Sequence, residues 1–433
     1  MNQRSFFGRV FFKNILVFAL IIAFSALSAS CRRDETDPNT LTIWCWDPNF
    51  NVLAVNVAAE IFRRDNPDVV INVVETAWEE IQLRLNTALS ASRPRGLPDI
   101  ILIQDNAIQK NVATFPNAFV SLDGKIDLSQ FAHFKVDAGT INGRSYSVPF
   151  DNGASATFLR RDIVEQAGLQ VSDFDYITWD RFIELAIIVR ERTGFPMLSA
   201  VGNENDLVPL MLQSAGTWFF DEQGNVYIAN NEVLREAVRI YKELIDNGLL
   251  LLVSDWTAYI ASLNTGSVAA TVNGCWIVGS ISAEHSQSGN WAVVSTPRLN
   301  IPGGTNYSSV GGSSWMILAS SRNIDLAVDF LNTTFAGSIE LYETILPSSG
   351  AIGTWLPAAD SPVYNEPNEF FGGQEIYQYI IGFAERVPRI QFGMFNYEAR
   401  NFVAQALIEI TRGASIDAAL ERAQRNTEFI INH

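Results

Sequence analysis

Apolar residues alternate between strand-like and helix-like patterns from residue 41 onward. Residues 41–46, 69–74 and 99–104 are strand-length apolar runs, and the two segments between them carry apolar residues at helical spacing. In the first of these helices the spacing is set by Val55, Ala58, Ala59 and Phe62, and Asn66-Pro67 ends it. Strand, helix, strand, helix, strand with short connections predicts right-handed βαβ units and a mostly parallel sheet covered on both faces.

The ends of these strands are the predicted place for a small-molecule site. Ligands in open α/β sheets bind beyond the carboxyl ends of the strands. That rule brings Trp46 and Asp47, after the first strand, beside Asp105 and Asn106, after the third.

Later segments continue the pattern with more helix. Thr178 is placed to cap a helix that begins at Trp179, and a second helix is expected from residue 231 to Asn247-Gly248. Strands are expected at 267–272, 291–295 and 311–320. The first of these runs into "TVNGCW" at 271–276, where Asn-Gly is a turn signal. Trp276 would then lie just past the end of an element, either filling a local gap or facing outward.

The amino-terminal residues 1–30 read as a signal peptide. Arg4, Arg9 and Lys13 form a basic start, and residues 15–27 are apolar but too short to span a bilayer comfortably. The segment 27–30 before Cys31 resembles the lipobox of bacterial lipoproteins, with Ser28 where that motif usually has leucine. The resemblance implies lipidation of Cys31, a polar tether within 31–39 and an exported protein anchored at the cell envelope. An ordinary signal peptide and an uncleaved anchor stay open as alternatives.

Composition limits the classes of partner. The chain carries 47 Asp and Glu against 30 Lys and Arg, a formal net charge of −17, and the leader holds three of the positive charges. A surface of this sign repels phosphate backbones, so nucleic acid is not an expected partner. The length of 433 residues favours two domains.

Cysteine and histidine give no cofactor or metal signal. If Cys31 is lipidated, Cys45 and Cys275 remain, and a bridge between them stays open because two cysteines define no framework. The three histidines do not pair at ligand spacing, so neither a metal nor a cofactor is expected.

Segments in a fixed order carry a family resemblance. They include "LTIWCWDPN" at 41–49, "LPDIILIQD" at 97–105, "INGRSYSVPFD" at 141–151, "NNEVLREAVRIYKELIDNGL" at 230–249 and "ATVNGCW" at 270–276. The chain is similar to the solute-binding lipoproteins of carbohydrate ABC importers, the extracellular solute-binding family 1 that includes maltose-binding proteins. It departs from that pattern at Leu159-Arg160-Arg161, where the family often has Tyr-Asn-Lys.

The resemblance implies a two-lobed, type II-like periplasmic-binding-protein fold with parallel-rich α/β lobes. Lobe I is expected to comprise 40–151 plus 298–346, and lobe II 152–297 plus 347–433. The chain would cross the hinge near Asp151, Pro297 and Leu346, and ligand would be held in the cleft between the lobes.

Candidate ligand contacts follow from the chemistry of sugars. A pyranose has an apolar C–H face and a fringe of hydroxyls, so its site needs aromatic platforms and hydrogen-bonding groups. Trp276 matches the family position where an indole stacks on sugar, and Tyr397, with Phe395, resembles the C-terminal aromatic platform. The remaining candidates lie at predicted strand ends or cleft edges: Trp46, Asp47, Asp105, Asn106, Asp151 and Trp315. Core packing for each Trp and a cap or turn for each Asp are the alternatives, and Trp44 and Trp78 are expected in the core.

The predicted function is capture of a carbohydrate and its delivery, by a monomer, to the permease of an ABC importer. No chemistry on the ligand is expected, and the chain has no G-x-x-x-x-G-K-[ST] loop of its own. Two alternatives stay open: a binding protein that presents its ligand to a sensor, and a lipid-anchored glycosidase, since acid pairs and aromatic platforms also serve sugar cleavage.

Overall fold

The computed structural model describes residues 38–48, 50–91, 96–202 and 206–432. The predicted signal peptide at 1–30, Cys31 and most of the tether lie outside the described residues. In the part described, no helix is both long and apolar enough to cross a membrane.

The described residues form α/β structure. The strands are β1 Thr40–Cys45, β2 Val70–Glu75, β3 Ile100–Gln104, β4 Thr140–Ile141, β5 Arg144–Ser145, β6 Val148–Pro149, β7 Ser155–Arg160, β8 Leu198–Val201, β9 Leu250–Val253, β10 Ala270–Gly274, β11 Trp291–Val294 and β12 Ser313–Ile317. The helices are α1 Asn51–Arg63, α2 Trp78–Leu89, α3 Asp105–Thr114, α4 His133–Ala138, α5 Arg161–Gln166, α6 Trp179–Thr193, α7 Leu207–Ser214, α8 Glu232–Asp246, α9 Trp256–Asn264, α10 Ile277–Ser282, α11 Ile324–Thr333, α12 Ile339–Ser349, α13 Ile376–Ala384, α14 Asn396–Thr411 and α15 Ile416–Asn432.

Lobe I is built on a five-stranded sheet in the order β2-β1-β3-β12-β6. Strand β1 pairs in parallel with β2 and β3, as the sequence pattern predicts, and β12 joins antiparallel to β3. Successive side chains of a strand point to opposite faces. Ile43 and Leu102 accordingly pack with Phe62 of α1, whereas Trp44 and Ile101 pack on the other face. The expectation that Trp44 belongs to the core is confirmed.

Lobe II departs from the predicted parallel-rich arrangement. Its central sheet has the order β10-β7-β11, and both outer strands run antiparallel to β7. The reason is the hinge: β7 leads away from it, while β10 ends beside the start of β7, where Gly274 pairs with Ser155. A smaller parallel pair, β8 and β9, lies beside β10, because Ala270 N–H donates to the carbonyl of Met197, the residue before β8. The predicted Thr178 cap is confirmed, since its hydroxyl accepts from Arg181 N–H. The second predicted helix, expected to begin near Asn230 or Asn231, is α8, and the Asn231 side chain accepts from Leu234 N–H at its start.

The hinge is made of backbone segments that bond side by side. Asn152 N–H donates to the Ile352 carbonyl, and Val310 N–H donates to the Gly153 carbonyl. These bonds lie directly after Asp151, at the place where the first crossing is expected.

The return crossing lies near residue 310, so the prediction of Pro297 is wrong. Leu299 is buried in the core of lobe II, and the Asn306 amide and the Ser308 hydroxyl donate to carbonyls of Ile177 and Leu210 in that lobe. These contacts hold residues 298–308 on lobe II, where sequence periodicity alone gave no signal.

The third crossing also lies further along the chain than Leu346. Helix α12 continues to Ser349 with Leu341 and Ile345 buried, and Ala132 N–H of lobe I still donates to the Thr354 carbonyl. The apolar contacts are not interrupted at the hinge, because one buried cluster extends from Leu41 through Phe150 to Ile380.

Cys45 and Cys275 are both buried and both free, so the bridge that the sequence left open is not formed. Burial raises the pKa of the Cys45 thiol to about 12.

A buried ion pair fixes the return crossing against lobe I. The Lys135 ammonium pairs with the Asp105 carboxylate, and their side chains are 1% and 4% exposed. Ser314 donates to the same carboxylate at 2.7 Å, and Lys135 also donates to the Ser313 carbonyl at 3.3 Å. Gly312 has φ +101°, and a Cβ there would meet both charged groups. The ion pair, its hydrogen bond to the Ser313 carbonyl and the missing side chain of Gly312 together fix the backbone at this point of the hinge.

Replacing Lys135 by Met is expected to lower the free energy of unfolding by about 3–5 kcal/mol, because it leaves a buried carboxylate without its partner. Burial already raises the pKa of the Asp105 carboxyl, against the opposing effect of Lys135, and losing the lysine raises it further. A folded-state pKa above the unfolded value favours the native protein at low pH, so the deficit relative to wild type shrinks as pH falls through the raised pKa.

Urea unfolding of the two proteins across a pH series measures this deficit. The exposed residue Lys125 provides the control, Lys125→Met. Equal stability of Lys135→Met and Lys125→Met at neutral pH would contradict the assignment.

Candidate functional site

A cavity of about 580 Å³ lies between the lobes and is lined by residues from both. Among the sequence candidates it brings together Trp46, Asp47, Asn106, Asp151, Trp276 and Tyr397. The rule that ligands bind beyond strand ends therefore located the cavity correctly on the lobe I side. The ligand-binding roles of these residues stay predictions.

Indoles line this cavity from each lobe. On lobe I, Trp46 and Trp78 meet edge to face with ring centroids 5.2 Å apart, and on lobe II, Trp256 and Trp276 are tilted with centroids 5.7 Å apart. The two rings within each pair contact one another, which fixes their relative orientation, and all four indoles line the cavity. The cleft therefore has aromatic surface on both sides.

Trp276 is held by its own hydrogen bond. The indole N–H donates to the Val310 carbonyl at 2.8 Å, at the return crossing of the hinge. The Asn-Gly pair is not a turn, since Asn273 and Gly274 continue β10. Glycine is needed there for a different reason: a Cβ on Gly274 would lie 2.4 Å from the Trp276 indole nitrogen.

Trp315 is not in the cavity, so that prediction is wrong. Its side chain is fully buried in lobe I between Phe150 and Phe335, with ring centroids 5.5 and 5.1 Å away. Alternation along β12 directs Trp315 into the core beneath the sheet.

Asp105 is also a wrong prediction as a ligand contact. The strand-end position is as expected, but its carboxylate turns inward to Lys135 and Ser314. A buried carboxylate needs such partners, and they occupy its oxygens.

Asp151 and Asp47 differ in burial. Asp151 is nearly buried and accepts hydrogen bonds from the N–H and the hydroxyl of Ser313, so it is part of the hinge as well as of the cavity wall. Asp47 is exposed, with φ +57°, and its carbonyl accepts from Phe50 and Val52 N–H at the start of α1. Its backbone position is thereby fixed.

Tyr397 connects the lobes. It begins the first turn of α14 in lobe II, and its hydroxyl lies 2.8 Å from side-chain oxygens of both Gln104 and Asn106 in lobe I. Burial raises the pKa of this hydroxyl, which stays protonated and donates. We call these contacts, with the adjacent ion pair between Lys110 and Glu398, the lobe seam.

Other cavity residues escaped the sequence interpretation. Trp78 is not a core residue but lines the cavity, as do Glu79 and the ion pair between Asp206 and Arg400, 2.7 Å apart. Trp256 is 45% exposed and begins α9, capped by Asp255. It follows β9 by three residues, and the strand-end rule that selected Trp46 would have found it.

Within the described ranges, no group of three or more His, Cys, Asp and Glu side chains is arranged to hold a metal ion. The arrangement offers aromatic surface, carboxylates and amides from opposed lobes, which is the construction of a binding protein that closes on a small polar ligand.

Comparisons with known proteins place this construction in a family. The sequence profile of the bacterial extracellular solute-binding proteins matches residues 58–371, and the chain belongs to that family. It is similar to a lactose-binding protein of Rhizobium radiobacter, with 38% identity over 381 residues that cover 88% of this chain and 90% of the relative. An arabinooligosaccharide-binding protein of Halalkalibacterium halodurans is 22% identical, covering 85% of this chain and 84% of its own.

A solved structure of a sugar-binding protein shares this fold. The sugar-binding protein MalE of Xanthomonas citri superposes with a TM-score of 0.75 at 18% identity, covering 91% of this chain and 98% of that one. The predicted family and two-lobed fold are therefore confirmed.

Replacing Tyr397 by Phe is expected to open the ligand-free protein. It removes the hydroxyl that joins the lobes, and a hydrogen bond contributes about 1 kcal/mol net, equivalent to a roughly fivefold shift toward the open form. Small-angle scattering, or fluorescence transfer between dyes on the two lobes, measures the change.

Tyr377→Phe is the matched control, because it removes a hydroxyl from a buried tyrosine of α13 that is not part of the seam. The same distance distribution in all three proteins would show that the seam does not hold the lobes together.

Proposed function

We propose that this protein binds a carbohydrate of about disaccharide size in the cleft and delivers it to the permease of an ABC importer. The observation that carries the proposal is the presence of indole pairs, Trp46 with Trp78 and Trp256 with Trp276, on different lobes of one cavity. A volume near 580 Å³ is within the range of small-molecule sites.

The chemistry of the wall suits a sugar. An indole that covers a pyranose face removes on the order of 50 Å² of apolar surface from water, worth roughly 1 kcal/mol for each platform. Asp47 and Asn106 supply acceptor oxygens for hydroxyls beside those rings. The 38% identity to a lactose-binding protein over nearly the whole chain supports a disaccharide as ligand.

Binding is coupled to closure of the lobes. A ligand that touches Trp46 and Trp276 together makes its full contacts only when the lobes are shut, so it shifts the population toward the closed form. The permease recognises that form, and the ligand leaves chemically unchanged. We propose that the protein acts as a monomer, exported by the signal peptide at 1–30 and held at the cell envelope through lipid on Cys31.

Titrating the purified chain with lactose, and with arabino-oligosaccharides, in a calorimeter tests the proposal. Replacing Trp276 by Ala is expected to weaken binding of whichever sugar binds by roughly five- to tenfold, from loss of one platform and its anchor. At 100 times its dissociation constant a true ligand adds about 2.7 kcal/mol to the stability of the wild type, which thermal unfolding detects.

Phe429→Ala is the control, since it truncates an exposed aromatic side chain on α15, outside the cavity. Absence of heat and of any thermal shift with every sugar would reject the proposed function. Equal sugar affinity in Trp276→Ala and Phe429→Ala would reject Trp276 as a platform.

A further inference from the structure

The wall of the cleft carries an unbalanced negative charge. Its acidic side chains are Asp47, Glu79, Asp151 and Asp206, and Arg400 is the one cationic side chain among the described lining residues. Arg400 is engaged by Asp206 at 2.7 Å. Charge neutralisation for an anionic ligand is therefore lacking in the described wall.

Two of these carboxylates belong to residues that follow the lobe I indoles in the chain. Asp47 directly follows Trp46, and Glu79 directly follows Trp78. All four residues line the cavity, and the two indoles meet edge to face. The acidic residues and the indoles therefore belong to the same two chain segments of the lobe I wall.

Cations near this platform are paired elsewhere. Lys110 is bound to Glu398 in the lobe seam, and Arg84 is bound to Glu80 on α2. The first turn of a helix favours acids on electrostatic grounds, which accounts equally for Glu79 and Glu80. It does not account for Asp47, which lies before α1, nor for the presence of both acidic side chains on the lobe I wall of the cavity.

We propose that the cleft selects uncharged and amine-bearing sugars and rejects anionic sugars, such as uronates and sugar phosphates. Asp47 and Glu79 are the specificity-determining residues. This inference rests on the proposed function and specifies its ligand class. A sugar hydroxyl or ammonium donates to these carboxylates, whereas a ligand carboxylate only accepts and is repelled.

The size of the effect follows from Coulomb's law. Two like charges about 6 Å apart lower affinity roughly threefold in bulk water and roughly 100-fold at an effective dielectric constant of 20. For exposed carboxylates at a cleft mouth we expect about a tenfold loss for each ligand charge at low salt, decreasing as salt is added. An ammonium on the same ring gains from the carboxylates and from the indole faces.

Calorimetric titration with three disaccharides of one size tests the inference: lactose, its analogue with galactose C6 oxidised to a carboxylate, and lactosamine with a free 2-amino group. Wild type is expected to bind the carboxylate form at least tenfold more weakly than lactose, and lactosamine at least as well as lactose. In Asp47→Asn/Glu79→Gln the gap between lactose and the carboxylate form should shrink to threefold or less.

The charge-matched control is Glu60→Gln/Glu191→Gln, which changes net charge equally at exposed positions outside the cavity wall. It should keep the wild-type gap, which separates local repulsion from the overall charge of −17. Equal binding of lactose and its carboxylate form by wild type would overturn the inference while leaving sugar binding intact. An undiminished difference in affinity between lactose and its carboxylate form in Asp47→Asn/Glu79→Gln would also overturn it. An equal reduction of that difference in both double variants would do the same. Failure of every neutral sugar to bind would instead reject the proposed function, and this inference with it.

Discussion

The buried pair of Lys135 and Asp105 is the interaction on which the lobe I end of the return crossing depends. Two opposite charges enclosed at 1% and 4% exposure must stay together, because neither has water to replace its partner. Lys135 also holds the Ser313 carbonyl, and Asp151 holds the Ser313 N–H, so the return crossing is fixed from two sides. The Trp276 indole N–H donates to the carbonyl of Val310, which lies shortly before Ser313 in the chain. The position of this indole in the cleft therefore depends on the same fixed backbone.

The cleft and the hinge share residues. Asp151 belongs to both, and Gly312 lies on the cavity wall while bringing backbone against the ion pair. The seam at Tyr397 lies beside the same cavity and joins the first turn of α14 to the start of α3. The cavity wall, the lobe seam and the hinge therefore share residues or lie next to one another in the fold.

Much of lobe I could be predicted because its signals are local. Apolar spacing located β1, α1, β2, α2 and β3, and the rule for strand ends brought Trp46, Asp47 and Asn106 to the cavity. The failures needed information from distant residues. Nothing near Asp105 announces Lys135 thirty positions later, and the burial of Trp315 depends on Phe335 and on the register of β12.

The path of the chain at the hinge also depends on distant contacts that the local sequence does not reveal. Residues 298–308 have no periodicity to assign them to a lobe; the burial of Leu299 and the hydrogen bonds to Ile177 and Leu210 do so. The sequence predicts a turn at Gly274, whereas in the structure its missing side chain makes room for an indole. A composition signal such as Asn-Gly marks backbone freedom, but not whether the fold uses it for a turn or for a close approach.

The apolar cluster that runs from Leu41 through Phe150 to Ile380 has a consequence for how the molecule melts. Its members come from both lobes and from the hinge, so unfolding of one lobe exposes apolar surface that the other lobe covers in the native protein. Lobe II also holds a core cluster of its own, from Leu159 to Ala423. The apolar cluster at the hinge should therefore couple the unfolding of the two lobes. Opening and closing of the cleft then occur about a hinge that keeps this interior covered.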